Sequence, residues 1–193
     1  KPIWVTPLNS HFSDSTPAVA NGKVYAIGST DAPYAYCLDA QSGKEIWKTA
    51  LPKSSGVRHY GLAGSPVIVG ELVIFNAGGG AALNTETGKI VWEFEGLPGL
   101  ATPVLFNDRD RPAVAIFSGD QLVGREVKTG KELWTIPWKT KLAVNACDPV
   151  FLQNDSKVFV CSDYGLGRAL YDLSTGPPRE LWNFTKRGGG SAY

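Results

Sequence analysis

Side chains able to do chemistry are sparse in this 193-residue chain: two His, three Cys, no Met, and eighteen Asp plus Glu against nineteen Lys plus Arg. His11 and His59 stand six and seven residues ahead of Pro17 and Pro66, in two segments that otherwise resemble each other. With Asp14, Asn145, Asp148 and Asp163 they make up a set of nitrogen and oxygen donors of the kind metal ions take. The competing reading is that polar residues gather where loops meet water and satisfy strand ends. No His-x-His or His-x-x-x-His spacing argues for the metal. Cys147 and Cys161 flank a turn at Asn154-Asp155, so they are read either as a candidate disulfide across a hairpin or as buried thiols. Gly78-Gly-Gly80 and Gly188-Gly-Gly190 lack the Gly-Lys-Ser/Thr ending of a phosphate loop. No flanking motif assigns a Ser or Cys as nucleophile, and no residue is assigned a catalytic role.

The elements that position these residues follow from composition and repetition. At 43% apolar and 19% charged residues the chain can build a core, and it has no run of about 18 apolar residues that would span a membrane. A net charge of +1 argues against general attraction to nucleic acid or anionic lipid. Twenty-two Gly and thirteen Pro suit many tight turns between short strands.

A repeat runs the length of the chain. Asp39-Ala-Gln-Ser-Gly-Lys-Glu-Ile-Trp47 recurs as Asn84-Thr-Glu-Thr-Gly-Lys-Ile-Val-Trp92 and as Glu126-Val-Lys-Thr-Gly-Lys-Glu-Leu-Trp134. A looser copy starts at Asp172-Leu-Ser-Thr-Gly176 and reaches Trp182 with two extra residues, and Trp4 reads as the end of a further copy. These Trp are spaced by 43, 45, 42 and 48 residues. A second landmark keeps step: Thr16-Pro17, Ser65-Pro66, Thr102-Pro103 and Asp148-Pro149 each precede a short β-branched and aromatic run. Each unit predicts four antiparallel strands, near 16–20, 23–28, 34–39 and 44–50 in the first. Four strands in about 45 residues make a propeller blade. The expected fold is therefore all-β, with blades near 9–50, 60–95, 99–138 and 143–185, residues 1–8 as a strand of a preceding or closing blade, and 186–193 opening another.

The repeated turn has a structural logic. Its first side chain can accept backbone hydrogen bonds, and Gly43, Gly88, Gly130 and Gly176 supply the positive φ that a bulged hairpin needs. Trp47, Trp92, Trp134 and Trp182 then fall on the last strand of each blade, where the flat ring fills the wedge to the neighbouring blade and donates its indole N–H.

The Asp-x-x-Ser/Thr-Gly-Lys-x-x-Trp pattern resembles the pyrroloquinoline-quinone-type, or tryptophan-docking, propeller repeat, over nearly the whole chain. That family includes quinoprotein alcohol dehydrogenases, the propeller lipoprotein of the bacterial outer-membrane assembly machine, and secreted bacterial propellers without known chemistry. The run from Tyr60 to Trp182, with Pro137-Trp138 after the third copy, is most similar to the noncatalytic secreted group. The resemblance implies a seven- or eight-bladed ring, of which this chain supplies about four blades, and an extracytoplasmic location. It also implies a scaffold for a protein or polymer partner, or for another propeller fragment, without cofactor. The alternative it implies is quinone plus calcium held in the channel, with Trp138 stacking and Asp148, His11 and His59 nearby; the adjacent Cys pair frequent in those enzymes is missing. A third alternative is a half-ring completed by another chain.

Overall fold

The computed structural model describes residues 1–8, 15–28, 33–52, 62–140, 142–163 and 166–184. Its described residues form four separate four-stranded antiparallel sheets, each a simple meander, with no helix among them. The first blade comprises Ala18–Ala20 (β1), Lys23–Gly28 (β2), Tyr34–Asp39 (β3) and Glu45–Ala50 (β4). The second comprises Val67–Val69 (β5), Leu72–Phe75 (β6), Ala81–Asn84 (β7) and Ile90–Glu93 (β8). Val104–Asp108 (β9), Arg111–Phe117 (β10), Gln121–Glu126 (β11) and Glu132–Pro137 (β12) make the third. Val150–Leu152 (β13), Lys157–Ser162 (β14), Gly167–Asp172 (β15) and Arg179–Asn183 (β16) make the fourth.

The second and third sheets are packed on both faces, which explains why their second strands are apolar on both sides rather than alternating as a strand with one wet face would be. In β6, Val73 and Phe75 join a cluster with Tyr25, Ile27 and Trp47 of the first blade. Ile74, between them, faces the other way and packs with Val114, Ile116 and Val123 of the third. In the fourth blade one face is covered in this way, with Val158 and Val160 packed against Phe117, Leu122 and Trp138, while Phe159 and Cys161, which alternate with them, are half-buried. The core is thus a series of inter-blade layers, and no blade could bury its own apolar residues alone.

All four hairpins between third and fourth strands carry the expected register shift: at Cys37/Leu38, Ala82/Leu83, Gly124/Arg125 and Leu170/Tyr171. Two kinds of end result from the meander. One end carries the turns between first and second strands and between third and fourth strands of each blade, the latter being the Asp-x-x-Ser/Thr-Gly turns. The other carries the loops between second and third strands together with the long connections from one blade to the next. The connections bring chemistry-bearing residues such as Trp138, Asn145 and Asp148 to that second end.

Candidate functional site

The turn motif works as its residue types suggest. Asp39 Oδ1 accepts from the backbone N–H groups of Gln41 and Ser42 and from Ser42 Oγ, at 3.2, 2.7 and 2.6 Å. Asn84 repeats this with Glu86 N, Thr87 N and Thr87 Oγ1. Hydrogen bonds from Ser42 hold the Asp39 carboxyl below the usual carboxylate range.

The first three turns each receive the indole of the preceding copy of the repeat. Trp4 Nε1 donates to Ala40 O at 3.0 Å, Trp47 Nε1 to Thr85 O at 2.9 Å, and Trp92 Nε1 to Val127 O at 2.8 Å. The acceptor is always the second residue of the motif. The ring lies on the motif Gly: a Cβ at Gly88 would sit 2.6 Å from Trp47 Cδ2, in a backbone at φ +66°. Gly43 and Gly130 are covered in the same way by Trp4 and Trp92. Glycine is therefore required twice, for the left-handed backbone and for the close approach of the ring. Two residues beyond the Trp, Thr6 and Thr49 donate to the carbonyls of Gly43 and Gly88, at 2.6 and 2.8 Å. In the third junction Phe94 replaces that Thr, and the Gly130 carbonyl accepts instead from Arg125 Nη1 at 3.1 Å while its guanidinium lies 3.7 Å over the Phe94 ring.

Two expected dockings differ. Trp134 is buried, yet its Nε1 has no acceptor among the described residues, and nothing lies within 4 Å of a Cβ built at Gly176. Its indole lies instead on Gly124 of its own blade and 5.5 Å from Phe106. The fourth motif explains the miss, because the two extra residues at Pro177-Pro178 reshape the acceptor turn: Asp172 now caps Ser174 and pairs with Arg179. Trp182, expected to fill a wedge, is 36% exposed, against 8, 6 and 5% for Trp47, Trp92 and Trp134. Its ring meets Phe159 and Phe184 of its own blade.

At the connection end, the residue before each landmark Pro links the blades head to tail. Thr16 N donates to Ser65 Oγ at 3.0 Å, Ser65 N to Thr102 Oγ1 at 3.4 Å, and Thr102 N to Asp148 Oδ1 at 2.7 Å. Sequence reasoning registered this landmark but missed its role; the signal was that all four positions carry a short oxygen-bearing side chain. Asp148, a candidate cofactor ligand, is thus a link between the third and fourth blades. Two buried amides add to the linkage. Asn76 Nδ2 donates to Ala101 O and Phe117 O, while Asn145 Nδ2 donates to Ser118 O and Trp138 O. Asn145 Oδ1 is buried without a donor among the described residues.

Trp138, proposed from sequence as a stacking platform, is 3% exposed and gives its indole N–H to Ser162 Oγ at 2.7 Å. Its placement corrects the expectation, since core packing takes the ring faces a cofactor would need. His11, Asp14 and His59 lie outside the described residues. Among the described residues no three His, Cys, Asp or Glu are grouped to hold a metal ion. Of the candidates for quinone plus calcium that are described, Trp138 lies in the core and Asp148 accepts from Thr102 N. An apolar cleft of about 230 Å³ between the second and third blades is lined by Val69, Leu105 and Val127; its one carboxylate, Asp155, accepts from Asn107 N at 2.8 Å.

The model of the family described as outer membrane protein assembly factor BamB matches residues 1–190. The chain belongs to that family. Its solved likenesses include BamB from Moraxella catarrhalis, at TM-score 0.62 and 20% identity over 93% of this chain and 51% of that one. Among curated proteins it is 30% identical over 148 residues to tetrathionate hydrolase of Acidithiobacillus ferrooxidans, covering 61% of this chain and 27% of the relative. It is also 30% identical over 112 residues to quinohemoprotein alcohol dehydrogenase ADH IIB of Pseudomonas putida, covering 54% of this chain and 16% of the relative. The chain thus spans about a quarter or less of these curated relatives and about half of the solved BamB. No helix among the described residues is long and apolar enough to cross a membrane.

Proposed function

We propose that this chain is a noncatalytic, extracytoplasmic propeller module that presents its connection end as a rigid platform for a protein or polymer partner. The observation that carries this reading is how that end uses its polar groups. Asn76, Asn145, Ser65, Thr102 and Asp148 spend their side chains on blade-to-blade hydrogen bonds, and Trp138 lies in the core. Such an end is fixed in shape and short of convergent reactive groups, which suits recognition by surface loops more than catalysis. The BamB family membership, with its outer-membrane assembly description, supports both the partner and the location.

The test is site-specific photocrosslinking in envelope extracts. A probe at Leu142, exposed in the connection after the third blade, should give a discrete adduct, and one at Lys128, on the opposite end, should not. Absence of an adduct at Leu142, or a new chromophore and dye-linked alcohol oxidation after adding quinone and calcium, overturns the reading.

A second reading, a partial ring completed by a further blade or another chain, is favoured by Trp182 alone among the docking indoles. Val150, Leu152 and Phe184, exposed on the same blade, add apolar surface. Light scattering tests it: concentration-dependent association that Trp182→Lys abolishes supports this reading, and a monomer at every concentration refutes completion by a second copy.

A further inference from the structure

We propose that Cys147 and Cys161 are a dithiol that closes to a disulfide by exchange with a disulfide-bearing oxidant, clamping the connection between the third and fourth blades to the second strand of the fourth. The inference stands on geometry and is independent of the scaffold reading. Pairing of β13 with β14 sets Val150 opposite Phe159 and Leu152 opposite Lys157, so continuing the ladder puts Asp148, not Cys147, across from Cys161. The hairpin is centred half a residue from where sequence alone places it, because Gln153, Asn154 and Asp155 all turn with positive φ of 52, 53 and 63°. A regular strand would then send Cys147 to the wrong face. The ladder, however, stops at Val150, and Cys147 sits in a bend before it, outside the regular strand that would turn it away from Cys161. The two side chains lie within interaction range of each other, and both are partly accessible, whereas Cys37 is fully buried in the layer between the first two blades.

Closing the bridge removes two protons and two electrons from the pair. One thiolate attacks the oxidant's disulfide and expels a thiolate; the second cysteine then attacks the mixed disulfide and expels the other half, leaving two reduced thiols on the oxidant. Burial, with a smaller contribution from Cys147 and opposition from Arg168, pushes the Cys161 thiol up to about 11. Cys161 is accordingly the poorer first nucleophile, and the mixed disulfide forms on Cys147, at the bend.

Trypsin separates the two cysteines, since Cys147 lies in peptide 142–157 and Cys161 in peptide 158–168. The folded chain is equilibrated with oxidised and reduced glutathione, trapped with iodoacetamide, unfolded and digested. The expected product is the linked pair of these peptides, lighter by two hydrogens than their sum, with Cys37 recovered as a thiol that was protected from iodoacetamide in the folded protein. Cys147→Ser and Cys161→Ser should each remove the linked pair while preserving that protection, which reports an intact first junction. Recovery of both peptides in alkylated or glutathione-capped form from protein with Cys37 still protected overturns the proposal. So does a link involving Cys37, or a bridge between chains seen as a dimer on a nonreducing gel.

Discussion

Trp92 and Trp134 are the same residue at the same repeat position with different hydrogen-bonding fates, and this difference is measurable. Trp92→Phe strands the buried Val127 carbonyl and should cost about 1–3 kcal/mol more than Trp134→Phe, which deletes a donor that already lacks a partner. Urea denaturation of both variants reads the difference. Trp92→Ala, which also opens a cavity, should cost about 3–5 kcal/mol. Gly88 and Gly22 have nearly the same backbone, φ +66° and +72°, but only Gly88 lies under a ring. Gly22→Ala should therefore cost about 1–2 kcal/mol for the left-handed backbone alone, and Gly88→Ala clearly more. Titration adds a further expectation. Hydrogen bonds from Ser174, then Arg179, hold Asp172 below its ordinary range, so its contribution to stability is present above about pH 4 and lost as pH falls through the depressed value. The stability difference between wild type and Asp172→Ala should shrink steadily below pH 4; a pH-independent difference would show that the carboxylate is not the stabilising form.

At the scale of elements, the strands of each unit and the turn that ends its third strand are legible in sequence because their determinants are local. Asp39 and Ser42 are three residues apart, and the Gly that follows supplies its φ without help from elsewhere. The linkage at the connection end was not legible as an interaction, because Thr16 and Ser65, or Thr102 and Asp148, are tens of residues apart and meet only when successive blades are side by side. Asp148→Asn keeps an acceptor for Thr102 N and should be near neutral. Asp148→Ala should cost about 1 kcal/mol, modest because the site is exposed, and should raise amide exchange at Thr102 in hydrogen-exchange measurements.

For the molecule as a whole, the layers between blades set what is protected and what is open. Trp47, Trp92 and Trp134 are buried, and Trp182 stands apart from them at 36% exposure. Iodide should quench a fraction of the Trp fluorescence that Trp182→Phe removes, while Trp47→Phe leaves that fraction unchanged; equal quenching of both variants would place Trp182 under cover. The same exposed blade carries Phe159, Cys161 and Phe184, so ring completion and bridge formation act on neighbouring surface and are separated by their readouts, scattering for one and peptide mass for the other.

Sequence alone determined the four-stranded unit, its period and the family, because turn chemistry and strand propensity are short-range and the repeat states them several times over. Which Trp has a socket, what the landmark Thr, Ser and Asp side chains hold, and that Trp138 belongs to the core were decided by tertiary structure. Each depends on where a neighbouring blade places a carbonyl, a hydroxyl or a flat ring. Two extra residues in the fourth copy, at Pro177-Pro178, accompany the one buried indole N–H in docking register that has no acceptor among the described residues.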